Sequence, residues 1–273
     1  MRIALYQARA GTEPAANAAD LTSAVREAAA GGASMLFTPE MSGLLDQDRA
    51  RAEAHLRSED EDEVLAAVRD AAREAGIWVH LGSLALKGGE GGRLANRGFL
   101  IDDKGEIRAR YDKIHLFDVD LDTGESWRES AAYAPGGAAV AAETPIGRLG
   151  LSICYDLRFS GLYAALSASG VDAIAIPAAF TVPTGEAHWH VLIRARAIES
   201  ACFAIAAAQC GTHEDGRRTY GHSLVVDPWG RVLLDMGTAE KEVGFAELDL
   251  GQLEEVRKRL PVLKHRRPFV LPQ

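Results

Sequence analysis

Short apolar runs that alternate with helical patterns recur along the whole sequence, and this recurrence limits the fold to a layered α/β protein. The runs predict strands at Arg2–Gln7, Ser34–Pro39, Ile77–Leu86, Gly98–Asp102, Gly150–Cys154, Ala173–Pro177, Cys202–Ala208, Ser223–Asp227, Arg231–Met236 and Val243–Leu248. Helical patterns predict helices at Ala15–Ala30, Asp60–Ala75, Ser160–Ser169, Glu186–Ser200 and Leu250–Arg259. Asp227-Pro228-Trp229-Gly230 predicts a hairpin turn, so we expect a mixed sheet covered by helices. Because no long linker interrupts the pattern, residues 1–273 are predicted to form a single domain.

Charge and hydropathy exclude two classes of partner. The chain has 30 Lys+Arg against 39 Asp+Glu, a net charge of −9, which argues against nucleic-acid binding. No run approaches the ~20 apolar residues of a membrane span, so we expect no membrane partner. The N-terminal residues 1–7 are typical of a first strand rather than a signal peptide. With three cysteines and no CxxC pair, the sequence indicates neither a disulfide framework nor a zinc site, and a cytoplasmic location is expected.

Cys154 is a candidate nucleophile. It ends a predicted strand and precedes a predicted helix, at the edge of the sheet where α/β proteins bind ligands. The N–H groups and dipole of that helix would favour a thiolate. The alternative is a small buried hydrophobic residue, the usual role of a free cysteine. Cys202 and Cys210 lie in or beside an apolar run and are predicted to be such core residues.

Glu40 is the candidate general base. None of the eight histidines lies in a known local signature of cysteine enzymes, so another base has to be considered. Glu40 follows the apolar strand that ends at Pro39, and partial burial there would raise the pKa of its carboxyl group. The alternative is a loop carboxylate that caps the next turn.

Lys113 and Glu129 are ordinary surface residues when each is considered alone. Lys113 lies in YDKIHLFD, whose apolar and aromatic neighbours weaken the interpretation as a solvated side chain. Glu129 precedes Pro135 by six residues. The glycine-rich Lys87–Arg93 is predicted to be a surface loop, because it lacks the lysine-Ser/Thr pair of a phosphate-binding loop.

Together these residues resemble the Glu-Lys-Cys triad of the nitrilase superfamily of carbon–nitrogen hydrolases. Glu40 after Phe-Thr-Pro, Lys113 in YDKIHLFD and Cys154 in ICYDLRF occur in the same chain order, and Glu129 matches a second glutamate found in many members. Motifs in the C-terminal half are similar to the amidase branch. One departure is Ser160-Gly161, where relatives usually have Pro-Glu; serine is a good helix N-cap, so we expect the helix to start there regardless.

The resemblance implies a four-layer α-β-β-α sandwich that forms a homodimer or a higher homo-oligomer, with the tail at residues 260–273 at the subunit interface. It also implies amide hydrolysis through a cysteine thioester. In that mechanism Glu40 is the base, Lys113 and the backbone N–H of Tyr155 stabilise the oxyanion, and Glu129 holds Lys113. The expected partner is a small-molecule amide that carries a carboxylate, with no metal and no cofactor. The alternatives are an ω-amidase acting on 2-oxo acid amides, an N-carbamoyl hydrolase, a nitrilase and a non-catalytic scaffold; the intact triad argues against the scaffold.

Residues of the matching motifs are candidates for substrate binding: Tyr155, Arg158, Phe180, Thr184 and His188. Arg158 would bind a carboxylate through a bidentate pair, or would form a structural ion pair with Asp156 or a more distant acid. Arg217-Arg218 would bind a second anionic group, or would lie in a solvated loop.

Overall fold

The computed structural model describes residues 1–120, 124 and 126–270. Its strands are β1 (Arg2–Gln7), β2 (Met35–Phe37), β3 (Trp78–Leu86), β4 (Ala95–Ile101), β5 (Ile107–Asp112), β6 (Asp118–Asp120), β7 (Ser126–Arg128), β8 (Val140–Thr144), β9 (Gly147–Leu151), β10 (Ala173–Ala175), β11 (Phe203–Ala206), β12 (Cys210–Thr212), β13 (Arg218–Tyr220), β14 (Leu224–Val226), β15 (Val232–Asp235) and β16 (Glu242–Glu247). Its α-helices are α1 (Pro14–Ala30), α2 (Arg49–Glu53), α3 (Glu63–Ala75), α4 (Ser160–Ala168), α5 (Val182–Ser200) and α6 (Gly251–Arg259). Within these residues no helix is both long and apolar enough to cross a bilayer.

Two six-stranded sheets face each other and carry helices on their outer sides. The first sheet has the order β16-β1-β2-β3-β4-β5 and the second β15-β14-β11-β10-β9-β8. Alternation along β1 shows the layering: Ala4 and Tyr6 pack with α1 and α3, whereas Ile3 and Leu5 belong to the core shared with the second sheet. Trp189 and Ile193 of α5 join that same core from the far side. The predicted α-β-β-α sandwich is therefore confirmed.

The hairpin and most of the predicted elements are confirmed, with shorter strands than the apolar runs. Strands β14 and β15 pair antiparallel around the predicted turn. Strands β5 and β8 were missed because they are half-exposed edge strands: polar side chains alternate with apolar ones along β5, and β8 (Val-Ala-Ala-Glu-Thr) lacks the large apolar side chains of a buried strand. The prediction that Cys154 ends a strand was wrong: β9 ends at Leu151, and a 3₁₀ turn runs over Cys154–Arg158.

Close packing of β3 against the loop that follows β2 fixes the position of Glu40. A Cβ atom on Gly82 would collide with the carbonyl oxygens of Thr38 and Pro39, so only glycine allows the two segments to meet. Gly82 N–H donates to Thr38 Oγ1 at 3.0 Å, and Ser42 N–H donates to the Ser83 carbonyl at 3.0 Å. The loop is thus fixed on both sides of Glu40.

The C-terminal tail extends from α6 over the surface of α4. The Arg266 guanidinium donates to the Ala164 carbonyl and to Ser167 Oγ at 3.0 and 2.7 Å. Beyond it, Phe269 and Val270 are 83% and 93% exposed. The last three residues of the predicted interface tail, 271–273, lie outside the described part of the chain.

Candidate active site

The three candidate triad residues follow strands of both sheets and meet between them. Glu40 lies just beyond β2, and Lys113 comes directly after β5, both in the first sheet. Cys154 lies beyond β9 of the second sheet. All three side chains are almost completely buried, and all three line one cavity.

Lys113 forms a buried ion pair with each of two glutamates. Its Nζ lies 2.8 Å from Glu40 Oε1 and 2.8 Å from Glu129 Oε2. Glu129 Oε2 also accepts from the Phe117 N–H at 2.6 Å, which fixes the carboxylate from the opposite side. These contacts compensate the buried positive charge of Lys113 and hold its ammonium group at one position.

Asn96 was missed by the sequence analysis, although it connects the two carboxylates. Its Nδ2 donates to Glu40 Oε1 at 2.9 Å and to Glu129 Oε1 at 3.1 Å. Glu40 Oε2, the other oxygen, accepts from the Ala179 N–H at 3.1 Å. An asparagine inside an apolar strand is the one sequence signal that could have pointed to it, because such a buried amide needs partners.

The Cys154 turn is held in an unusual backbone conformation. Cys154 has φ = 48°, in the left-handed region that few residues other than glycine adopt, and its N–H donates to the Pro177 carbonyl at 2.8 Å. The fully buried Asp156 secures the turn: its carboxylate accepts from Ile153 N–H at 2.9 Å, from the Tyr111 hydroxyl at 2.7 Å and from His115 N–H at 3.0 Å. Strain of this kind persists only where the surroundings enforce it.

Glu40 and Lys113 are both charged at neutral pH. Burial alone would raise the pKa of Glu40, but the charge and hydrogen bond of Lys113 outweigh it and hold the pKa below its ordinary value of 4.5. Burial alone would lower the pKa of Lys113, but Glu129 and Glu40 hold it well above 10.5. Our expectation of a raised glutamate pKa was therefore wrong, because the sequence does not reveal the buried ammonium partner.

The Cys154 side chain rests as a thiol rather than a thiolate. Burial, followed by the negative charge of Glu40, raises the pKa of the thiol well above its usual value of 9.0. The thiolate expected from a helix N-terminus was wrong, since a short 3₁₀ turn follows Cys154 and a carboxylate lies beside it. A proton acceptor thus stands next to a protonated nucleophile.

Four of the five predicted binding residues line the cavity, which has a volume of about 700 Å³. These are Tyr155, Arg158, Phe180 and Thr184; His188 is exposed and is not among the lining residues. His188 instead contacts Arg158, with Nδ1 3.2 Å from Nη1.

Arg158 stacks on aromatic rings and pairs with no acid in residues 1–120, 124 and 126–270. Its Cζ lies 5.3 Å from the Phe180 ring centroid and 5.8 Å from that of Tyr155. The suggested ion pair with Asp156 is not formed, because that carboxylate already accepts bonds from other groups. The Arg158 guanidinium thus remains available to a ligand.

Other reactive groups lie elsewhere. Burial raises the pKa of Cys202 to about 12 and that of Cys210 to about 11, which agrees with their predicted role as core residues. His190, His222 and Asp235 have donor atoms within 4.8 Å of one another and form a group that could hold a metal ion. The two histidines are paired with the Asp235 carboxylate at 2.9 and 2.8 Å, and none of the three lines the cavity.

The chain resembles known carbon–nitrogen hydrolases over almost its whole length. The family model "Carbon-nitrogen hydrolase" matches residues 2–258. The deaminated glutathione amidase of Yersinia enterocolitica is 40% identical over 97% of this chain and 92% of its own length. The NitFhit protein of C. elegans superimposes with a TM-score of 0.89 at 37% identity; the match covers 97% of this chain and 65% of the NitFhit chain.

An amidase from Nesterenkonia sp. AN1 provides a chemical comparison. At 28% identity, with 98% of this chain and 94% of that chain covered, it superimposes with a TM-score of 0.81. In that structure the acetamide moiety of fluoroacetamide is covalently added at the active-site cysteine.

The present chain therefore belongs to the carbon–nitrogen hydrolase family, and its resemblance to the nitrilase superfamily is confirmed. It is a carbon–nitrogen hydrolase of the amidase type.

Proposed function

We propose that this enzyme hydrolyses the amide bond of deaminated glutathione through a thioester on Cys154. The observation that carries the proposal is the juxtaposition of the Cys154 thiol with an ionised Glu40, itself ion-paired to Lys113, on one cavity. A thiol, a base and a fixed cation are the groups that covalent amide hydrolysis requires.

In the first half-reaction, Glu40 accepts the thiol proton as Cys154 Sγ attacks the amide carbon. The carbonyl oxygen becomes an oxyanion, stabilised by the Lys113 ammonium and the backbone N–H of Tyr155. Glu40 then delivers the proton to the amine nitrogen as the C–N bond breaks, leaving an acyl thioester. Because the thiol is protonated at rest, deprotonation accompanies attack instead of preceding it.

In the second half-reaction, Glu40 removes a proton from water, which attacks the thioester carbon. The C–S bond breaks, the thiol is re-formed and the acid leaves. Glu129 contributes by holding Lys113 through its carboxylate, at 2.8 and 3.0 Å from Nζ. Neither step requires a metal ion or an organic cofactor.

Two features support a carboxylate-bearing substrate. Arg158 presents a guanidinium without an acidic partner among the described residues and lines the cavity beside Cys154. Relatives named deaminated glutathione amidase are 40% identical in Yersinia enterocolitica and 43% in Mus musculus. The alternative is an ω-amidase that acts on simple 2-oxo acid amides; N-carbamoyl and nitrile hydrolysis use the same triad.

The substrate proposal predicts an order of specificity. Deaminated glutathione and α-ketoglutaramate share the 2-oxo acid and the γ-amide carbonyl, but only the former has a Cys-Gly leaving group. Binding energy from that group, used in the transition state, is expected to give deaminated glutathione the higher kcat/KM. Steady-state kinetics on both compounds test this order. A tenfold preference for α-ketoglutaramate would favour the ω-amidase, and inactivity on both would indicate another amide or an N-carbamoyl substrate.

The triad predicts a flat pH profile through neutrality. Glu40 must be ionised, and its pKa is below 4.5, so kcat/KM is lost only as pH falls below that value. Cys154 and Lys113 must be protonated, and their raised pKa values place the alkaline loss above pH 9. We expect a constant kcat/KM from about pH 5.5 to 8.5, with circular dichroism as a control for unfolding. An acid limb near pH 6.5 would instead indicate a histidine base.

We also propose that the enzyme is a cytoplasmic homodimer or a higher homo-oligomer. The three cysteines of the sequence are free thiols, as expected in a reducing compartment. The exposed Phe269 and Val270 of the tail form an apolar end that a partner subunit would cover.

A further inference from the structure

Two buried hydrogen-bond donors on the active-site cavity have no partner among the residues that the structure describes. The Nε of Arg217 and the indole Nε1 of Trp127 are inaccessible to solvent, and neither donates to any residue that the structure describes. Both side chains line the same cavity as Cys154. Buried donors almost always have an acceptor in folded proteins. Two unpaired donors beside a cavity therefore indicate a ligand that accepts hydrogen bonds.

The Arg217 guanidinium is held in one orientation, and none of its N–H groups donates to a side chain or carbonyl within the described part of the chain. Its Cζ lies 4.6 Å from the Trp127 ring centroid, so stacking holds the plane of the group. Asp215 forms an ion pair with Arg217, but its Oδ2 lies 3.6 Å from Nε, too far for a hydrogen bond. The Asp215 oxygens already accept from the backbone N–H groups of Gln47 and of Arg217 itself. The guanidinium therefore has donors to spare for a bidentate acceptor.

A row of aromatic rings connects this position to the nucleophile. Tyr155, which follows Cys154, has its ring centroid 5.0 Å from that of Phe117, and Phe117 lies 6.3 Å from Trp127. Arg217 lies just beyond Trp127. All of these side chains line the cavity that holds Cys154, so the row extends along its wall towards Arg217.

The neighbouring arginine provides a natural contrast. Arg218 is exposed and is not among the residues that line the cavity. Of the two adjacent cations, the fold turns only Arg217 towards the site. Arg128, another lining residue, pairs with Asp120 at 2.8 Å.

We propose that Arg217, held by Trp127, binds a carboxylate on the leaving amine of the substrate, opposite the acyl carboxylate that Arg158 binds. The enzyme thereby selects amides whose amine portion ends in a carboxylate over primary amides. This inference rests on the proposed function, since it names the part of the substrate that the second arginine recognises.

The test compares Arg217→Ala and Arg217→Lys with Arg218→Ala, which removes the same charge from the next residue. Each variant is assayed on deaminated glutathione and on its C-terminal amide, in which an uncharged carboxamide replaces the carboxylate of the leaving group. Arg217→Ala is expected to lower kcat/KM for the acid roughly 10- to 100-fold, chiefly through KM, and to leave the amide within about twofold. Arg217→Lys keeps the positive charge but loses the bidentate donor geometry, so its kcat/KM for the acid should lie between those of wild type and Arg217→Ala. Arg218→Ala should change neither substrate.

If Arg217→Ala lowered kcat/KM equally for the acid and for its amide, the proposal would be overturned, because Arg217 would then be structural. An unchanged kcat/KM for the acid in Arg217→Ala would overturn it as well. Calorimetric titration with free Cys-Gly and its amide gives a readout independent of turnover. Wild type should bind the acid more tightly than the amide, and Arg217→Ala should bind both equally.

If wild type fails to hydrolyse deaminated glutathione but still binds Cys-Gly through Arg217, the proposed function fails and the carboxylate subsite stands. If hydrolysis is present but wild type binds Cys-Gly and its amide equally, the subsite fails and the function stands.

Discussion

Replacement of Cys154 by alanine is expected to lower kcat/KM on deaminated glutathione by roughly four orders of magnitude or more, because the variant cannot form the thioester. The fold should persist, since the change deletes one sulfur atom that faces a cavity, and the Asp156 contacts that hold the turn remain. Activity assays together with circular dichroism and thermal unfolding measure the two effects separately.

Cys202→Ala is the matched control for this change. Cys202 is fully buried but does not line the cavity, so the variant should lose some stability and keep its activity. Retention of more than a few per cent of wild-type activity by Cys154→Ala would exclude Cys154 as the nucleophile.

Replacement of Glu40 by glutamine is expected to suppress both half-reactions, by about 10²- to 10⁴-fold, because the amide cannot accept the thiol proton or activate water. Lys113 still has Glu129 as a partner in this variant, so the buried ammonium does not become unpaired. Rapid-quench kinetics resolve thioester formation from its hydrolysis. The exposed Glu186→Gln, on α5, is the matched control and should behave as wild type.

A different outcome would reassign the base. If Glu40→Gln still formed the acyl-enzyme in a rapid burst on an amide substrate, another group would have to carry the proton. Lys113→Ala is less informative, because it leaves both Glu40 and Glu129 as buried carboxylates without their cation and so endangers the fold.

Much of this arrangement could be predicted from the sequence, because strand ends and motifs are local features. Glu40, Lys113 and Cys154 each follow an apolar or half-apolar strand, and their chain order matches a known triad. The antiparallel hairpin of β14 and β15 was likewise visible in its turn residues.

The missed features depend on contacts between distant segments. Asn96 joins Glu40 and Glu129, which are 56 and 33 residues away in the chain, and no local pattern reports such a bridge. Asp156 lies inside the cysteine motif, yet its role in holding the turn depends on Tyr111 and His115.

The protonation states could not be predicted for the same reason. Burial of Glu40 alone argues for a raised pKa, and only the Lys113 ammonium 2.8 Å away reverses the sign. That distance is set by the strand order of the first sheet, which carries both residues and which a single sequence does not specify. Likewise, the thiol state of Cys154 follows first from its burial and then from the charge of Glu40 beside it in space.

Alkylation with iodoacetamide, followed in parallel by activity and by peptide mass spectrometry, tests the central assignment most directly. If Cys154 is the nucleophile, activity disappears at the same rate as one carboxamidomethyl group appears on the peptide that contains Cys154, and substrate slows both. Cys202 and Cys210 should react much later, because they lie in the core and, unlike Cys154, do not line the cavity. Full alkylation of Cys154 with activity preserved would contradict the account, as would loss of activity in step with labelling of Cys202 or Cys210 while Cys154 remains free.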